Sequence, residues 1–285
     1  MRATRYLWIM FTLLFGSGAL KLDAQEKDSV DKKTTYTLSA LWSNNANYYG
    51  QVASESLPFG YVDLAVRTPI GWYISGGGYQ LLKEGNFPSE LHLGTGFEWE
   101  FGKRFSASIG YSRSFYAKQS PLLQASNPNS VSGEIGINHF LKTTLGADYN
   151  FGKDEDIFVN LENSKIIPLH SFTPKDVLYI KPTVTLTMGT TSFYKTYLEE
   201  QEHRLGLPDF LEDKIPTNNK TTTKETTVET TEFRLLSYNF QLPAIWQYGN
   251  SSFMLSYQLS VLAKKTSASM RRNNSFLTVG YFYQF

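Results

Sequence analysis

The sequence predicts an antiparallel, closed transmembrane β-barrel of about twelve strands, with ten or fourteen strands as alternatives. Three observations support this fold class. Most segments after residue 34 alternate apolar and polar residues with the period of two that is typical of a strand. Short turns alternate with long loops along the chain, and the sequence stops on Phe285 without a polar tail. A soluble domain rarely leaves an aromatic terminus on an edge strand, whereas a closed barrel has no edge.

Residues 1–24 have the features of a targeting segment. Arg2 and Arg5 form a basic start, residues 7–15 are apolar, and Ala24 is a plausible cleavage point. The apolar run is shorter than the about 20 residues that span a bilayer as a helix. We therefore expect a signal peptide at 1–24, a disordered periplasmic stretch at 25–33, and a barrel at 34–285.

Composition excludes several classes of protein. The chain has no Cys, so neither a lipoprotein anchor nor a disulfide framework is available. Its formal net charge of +1 does not indicate nucleic-acid binding. Aromatic residues make up 15% of the chain, as expected where aromatic girdles mark two membrane interfaces.

The first five predicted strands are clearly bounded by turns or polar connections. Thr68 to Gly71 is a tight turn, and Gly76, Gly77 and Gly78 indicate a bend or a close backbone approach. One face of the fifth strand carries only Ser and Gly, which is too small and polar for a soluble core but suits a water-lined wall. These strands are predicted at 35–42, 60–67, 72–82, 91–101 and 105–115.

The later strands are harder to place. Residues 131–151 alternate almost without a break and could form one long strand. Pro182 conflicts with an uninterrupted strand, because proline cannot donate to the ladder. A long extracellular loop is expected near 195–232, first acidic and then Thr-rich. The strands are predicted at 131–138, 145–151, 157–162, 178–188, 236–246, 253–261 and 277–285.

The last residues read NSFLTVGYFYQF, with Tyr281, Tyr283 and Phe285 on one face. This stretch resembles the C-terminal recognition strand of bacterial outer-membrane β-barrel proteins. The Ala24-Gln25 junction resembles that of exported proteins from Bacteroidota-type bacteria. The resemblance implies a location in the bacterial outer membrane, with membrane lipid and the barrel-assembly machinery as partners. It implies no cofactor and no specific subfamily.

Charged residues on the predicted inner faces are the candidates for lining a lumen. If the lumen is open, they would make a polar channel with a weak preference for cations. If it is filled, they would form a plug of ion pairs and hydrogen bonds, and twelve strands are compatible with both. The candidates are Asp63, Arg67, Glu98, Glu100, Glu134, Asp148, Glu162 and Lys181.

The sequence offers no clear catalytic or metal site. The four histidines show no metal-ligand spacing. His170 and Ser171 invite comparison with barrel lipid hydrolases, but adjacent residues of a strand face opposite ways. We therefore predict no enzymatic activity, no metal and no cofactor.

Two further groups of residues concern the membrane. Basic residues near the extracellular end could bind lipid phosphates of the outer leaflet, or the loop residues among them could contact the acidic loop. These are Arg113, Lys264, Lys265, Arg271 and Arg272. An aromatic girdle is expected beside the periplasmic turns and the chain end, formed by Trp72, Trp99, Phe101, Phe151, Trp246, Tyr283 and Phe285.

The function predicted first is a passive or gated pore for small polar solutes. The alternative is a structural or accessory barrel whose extracellular loops bind a partner or a surface glycan. A lipid-modifying enzyme is the third and weakest hypothesis. Single-channel conductance separates the first two.

Overall fold

The computed structural model describes most of the predicted barrel and part of its loops. The expected signal peptide and most of the expected periplasmic stretch lie outside the described residues, as does most of the long loop near 195–232. The described residues are 33–47, 49–50, 52, 56–83, 87–117, 127–152, 155–190, 232–263 and 271–285.

The described residues form one antiparallel sheet of β-strands. Among them, no helix is long and apolar enough to cross a membrane. The strands are β1 (Thr35–Ser43), β2 (Phe59–Arg67), β3 (Trp72–Leu81), β4 (Glu90–Phe101), β5 (Phe105–Tyr116), β6 (Asn129–Asn138), β7 (Lys142–Phe151), β8 (Glu155–Ser164), β9 (Ile167–His170), β10 (Asp176–Ile180), β11 (Thr183–Gly189), β12 (Arg234–Tyr248), β13 (Ser251–Leu262) and β14 (Asn273–Gln284).

The sheet closes on itself into a barrel. Consecutive strands pair from β1 to β8, and β11 to β14 continue the sheet through the β8–β11 contact. Pairing of β1 with β14 completes the ring, with Leu38 opposite Tyr283 and Trp42 opposite Val279. The short strand β9 continues the line of β8, and the short strand β10 continues the line of β11. Each of these two pairs counts as one strand, so the barrel has twelve strands around its circumference. The predicted fold class and strand number are confirmed.

The predicted ninth strand, 178–188, is interrupted. β10 and β11 both pair with β12, but Lys181 and Pro182 between them are outside the strands. The reason is that Pro182 has no N–H to give to the ladder. The sequence analysis also missed β9, which pairs with β10 across an irregular register. The alternative of one long strand over 131–151 was wrong, because residues 139–141 separate β6 from β7.

Apart from the three-residue connection 152–154, the connections are segregated by length between the two ends of the barrel. One end carries the short turns 68–71, 102–104, 139–141, 171–175 and 249–250, together with the start of β1 and the end of β14. The other end carries the connections 44–58, 82–89, 117–128, 152–154, 190–233 and 263–272. In outer-membrane barrels the short turns face the periplasm and the longer loops face outward. The second end is therefore the extracellular mouth.

The two faces of the strands have opposite chemistry, as predicted. Large apolar side chains are exposed on the outside of nearly every strand, including Leu64, Leu93, Ile109, Leu255 and Val279. Small and polar side chains alternate with them on the inside. An exposed apolar band around a closed barrel is stable in lipid, because every backbone group of the spanning strands is paired.

Aromatic rings cluster on the outside near the periplasmic turns. The ring centroids of Phe97 and Trp99 are 5.7 Å apart, and those of Trp246 and Phe253 are 5.6 Å apart. The indole N–H of Trp246 donates to Oδ2 of Asp176 at 2.9 Å. Phe151 was wrongly assigned to this girdle, because β7 begins at the periplasmic turn and Phe151 ends it at the extracellular mouth.

Candidate functional site: the barrel lumen

The predicted lumen-lining side chains lie on the inner face of the barrel. Arg67 and Glu98 form an ion pair near the periplasmic end, with Nη2 of Arg67 2.7 Å from Oε1 and from Oε2 of Glu98. Glu100 is one inward position further on and is exposed at the rim. Two acidic side chains and one basic side chain therefore lie together at the periplasmic opening.

A second charged group lies on β6, β7 and β8. The half-buried side chain of Glu134 extends over Gly146, whose ideal Cβ would be 3.4 Å from Cγ of Glu134. Oδ2 of Asp148 accepts a hydrogen bond from Nδ2 of Asn160 at 3.4 Å. Glu162 and Lys181 are buried and carry opposite charges that interact. Glycine at position 146 leaves the space that the carboxylate side chain uses.

Asp63 belongs to a buried hydrogen-bonded group that spans three strands. Nε2 of His92 on β4 lies 3.0 Å from Oδ2 of Asp63 on β2, and 3.1 Å from the phenol oxygen of Tyr61. Asp63 and His92 are each 2% exposed. An ionised carboxylate only accepts hydrogen bonds, so the contact with Oδ2 of Asp63 suits the tautomer of His92 that has its proton on Nε2.

Gly77 on β3 makes this contact across a whole strand feasible. It lies between the two residues, opposite Asp63 on one side and His92 on the other. A Cβ at Gly77 would be 2.3 Å from the carbonyl oxygen of Val62 and 2.8 Å from Cε1 of His92. The imidazole therefore occupies the place of the missing side chain, which explains one glycine of the triplet at 76–78.

Sequence reasoning missed His92, Tyr61 and a second buried pair, Glu90 with Ser114. The hydroxyl of Ser114 donates to Oε1 of Glu90 at 2.6 Å. Alternation places all four residues on the inside, and that was the available signal. Their partners depend on the register of three strands, which the alternation does not give.

An uncharged network covers the opposite wall near the mouth. Nδ2 of Asn239 on β12 donates to the hydroxyls of Thr187 on β11 and Ser237, at 3.3 and 3.1 Å. Oδ1 of Asn239 accepts from the hydroxyl of Ser260 on β13 at 2.6 Å, and the Thr187 hydroxyl donates to Oδ1 of Asn160 at 2.9 Å. Amides and hydroxyls from β8, β11, β12 and β13 thus hydrogen-bond to one another in this part of the wall, beside the buried Asp156 and Phe158 of β8.

Apolar side chains fill one side of the interior. They come mainly from β1, β2 and β3 and from β10, β12, β13 and β14, and they pack into one cluster. The cluster consists of Leu41, Phe59, Tyr61, Tyr79, Leu81, Tyr179, Ile245, Met254 and Phe282. The wall from β4 to β8 instead carries Ser, Gly and charged residues, so the polar part of the lumen is displaced toward that side.

The remaining predicted residues have the following positions. Arg113 is exposed on the outer face of β5, with Cζ 5.5 Å from the ring centroid of Phe115. Arg271 and Arg272 are exposed at the mouth, whereas Lys264 and Lys265 lie outside the described residues. His170 ends β9 and its ring contacts Phe172 edge-on at 4.6 Å. In the described part of the chain, no group of three or more His, Cys, Asp or Glu could hold a metal ion.

Together these features define the class of the protein: a closed twelve-stranded β-barrel with an apolar outer band, the architecture of outer-membrane barrels, which contact membrane lipid around their circumference. No protein-family model and no curated protein sequence matches the chain.

Among solved structures the chain is similar to the KdgM porin, with 9% identity, a TM-score of 0.47, and 88% of this chain and 99% of that chain covered. It is also similar to LpxR from Salmonella typhimurium (10% identity, TM-score 0.44, 87% and 99% covered). An outer membrane channel from Pseudomonas putida F1 gives 11% identity, a TM-score of 0.42, and coverage of 92% and 100%. Likeness at this level concerns the barrel fold and carries no information on what this chain binds.

Proposed function

We propose that the chain is a passive pore for small polar solutes, with no enzymatic activity. The inner wall from β4 to β8 is the observation that carries this proposal. Its inward positions on β5 carry only Ser and Gly: Ser106, Ser108 and Ser112 are partly exposed toward the lumen, whereas Tyr73 extends over Gly110 and Ser114 is buried. A twelve-stranded barrel is wider than the eight-stranded barrels that side chains alone can fill. The solute path is therefore expected beside this wall and away from the apolar cluster.

Planar-bilayer recording of the purified full-length chain tests the pore. We expect discrete conductance steps, and swelling of proteoliposomes in sugars small enough to pass. Heat-denatured protein in the same detergent is the control for leakage. A barrel that is correctly folded but silent in both assays would rule out a pore, and would favour the structural or accessory alternative, which the apolar cluster in the lumen also supports.

We also propose two sets of contacts with the envelope. The exposed Arg113, Arg271 and Arg272 would bind lipid phosphates of the outer leaflet through charge-assisted hydrogen bonds. The end of β14, with Tyr281, Tyr283 and Phe285, would be the segment that the assembly machinery recognises. Neutralising the three arginines is expected to lower the amount of co-purified lipopolysaccharide, and deleting Phe285 is expected to lower the amount of assembled barrel in cells. Unchanged amounts would contradict each proposal separately.

A further inference from the structure

A residue of the first extracellular loop lies inside the mouth of the barrel. Tyr49 belongs to the connection 44–58 between β1 and β2, yet its side chain is fully buried. Its ring is stacked on Phe158 with the centroids 3.7 Å apart and the planes 9° apart. Phe158 is on the inner face of β8, far around the ring from β1 and β2. The loop therefore reaches across the mouth.

Hydrogen bonds to two further strands hold the same stretch. The hydroxyl of Ser237 on β12 donates to the carbonyl oxygen of Tyr49 at 2.8 Å. Nδ2 of Asn274 on β14 donates to the carbonyl oxygen of Gly50 at 2.9 Å. The N–H of Gly50 donates to Oδ1 of Asn47 at 2.8 Å. We call Asn47, Tyr49 and Gly50 the mouth segment.

Glycines lie on both sides of this contact, at positions where a side chain would clash. Gly50 has φ +92°, and a Cβ there would be 2.6 Å from Cβ of Ser237. Below the aromatic pair, a Cβ at Gly189 would be 2.4 Å from Cδ1 of Phe158. Tyr49 itself has φ 47°, in the left-handed region that residues other than glycine rarely adopt. An unfavourable backbone conformation is thus maintained by contacts with β8, β12 and β14.

We propose that the mouth segment is the constriction of the pore and that the buried stack of Tyr49 on Phe158 holds it across the mouth. This inference rests on the proposed function and names the residue that positions its constriction. Neither ring of the stack is charged, so removing one changes the size limit and leaves the charges near the mouth, such as the buried Asp156 on β8, in place.

Removing either ring of the stack tests the proposal. Tyr49→Ala and Phe158→Ala are expected to raise single-channel conductance about twofold or more, because a narrower constriction dominates the resistance of a pore. Proteoliposomes with these variants should also swell in sugars that the wild-type barrel excludes. The ratio of cation to anion permeability should stay unchanged. Tyr257→Ala is the matched control, since Tyr257 is an exposed tyrosine on the outer face of β13.

A covalent lock tests the same segment in the opposite direction. The chain has no cysteine, so Gly50→Cys with Ser237→Cys introduces a single pair. Their Cβ positions would be 2.6 Å apart, and the segment must shift by about 1 Å to reach the ~3.8 Å of a disulfide. We expect low conductance after oxidation and higher conductance after reduction. Gly50→Ala controls for backbone strain at this position.

The outcomes separate the two proposals. Silence of the correctly folded wild-type barrel in both assays overturns the pore. A conducting wild-type barrel whose conductance and sugar cut-off are the same in Tyr49→Ala and Phe158→Ala overturns the constriction and leaves the pore intact. Equal conductance of the cysteine pair before and after reduction also overturns the constriction.

Discussion

Replacing His92 by leucine is expected to lower the free energy of unfolding of the barrel by about 1–3 kcal/mol, the range for leaving a buried polar group without its hydrogen-bond partner. Asp63 is 2% exposed and its Oδ2 is 3.0 Å from Nε2 of His92. Leucine would leave the carboxylate of Asp63 without this donor in a place that water reaches poorly. Urea unfolding of the reconstituted barrel, followed by tryptophan fluorescence, measures the loss.

A second substitution distinguishes the lost contact from a general packing defect. His92→Leu would leave the charge of Asp63 without its hydrogen-bond donor, and Asp63→Asn removes that charge. The double variant should therefore recover a large part of the lost stability. A packing defect would not be relieved by changing Asp63. Additive losses in the double variant, or a loss below about 1 kcal/mol in His92→Leu, would show that the pair is not a strong contact.

Glycine 77 gives an independent way to break the same contact. A Cβ at this position would meet both Cε1 of His92 and the carbonyl oxygen of Val62, so Gly77→Ala should destabilise the barrel and displace the imidazole. Gly78→Ala is a close control, because its Cβ would make only ordinary contact, with Cδ2 of Leu91 at 3.4 Å. Equal stability of the two alanine variants would contradict the role of Gly77.

Alternation in the sequence was sufficient to predict which face of each strand points inward. It placed Asp63, Glu98 and Glu134 on the inside and Leu93 on the outside, because a period of two survives small errors in the strand ends. Turn residues located the short connections, and these fixed which end of the barrel carries the long loops. The break at Pro182 was visible as a conflict, although not as two separate strands.

Partners across the lumen could not be predicted in the same way. The contact of His92 with Asp63 depends on the pairing of β2, β3 and β4 and on a glycine between them. Tyr49 lies in a stretch that reads as a polar connection, and no local pattern indicates that it packs on Phe158. Contacts between residues distant in sequence are set by strand register and by the path of the loop, which single-sequence periodicity does not encode.

Reversing the charge of Glu134 is expected to have the largest effect on ion selectivity. Acids outnumber bases on the inner wall, and Glu134 is half-buried on β6, facing the lumen beside Gly146. A unit charge roughly 5 Å from a passing ion contributes about 0.8 kcal/mol in water. Glu134→Lys changes the charge by up to two units, which raises the energy of a cation and lowers that of an anion by up to about 1.7 kcal/mol each, before screening by salt. We therefore expect the ratio of cation to anion permeability to fall by at least about fivefold to tenfold.

Reversal potentials in asymmetric salt, recorded in the Tyr49→Ala background, measure this ratio while conductance is high. Glu134→Gln changes the charge by one unit and should produce about half of the free-energy shift, since the Coulomb energy is linear in charge. Glu232→Lys is the control for net charge, because Glu232 is 69% exposed and precedes β12 on the extracellular side. A local field from the lumen affects ions only where they pass close to it. If Glu232→Lys shifts the ratio as much as Glu134→Lys does, ions do not pass close to the wall formed by β4 to β8.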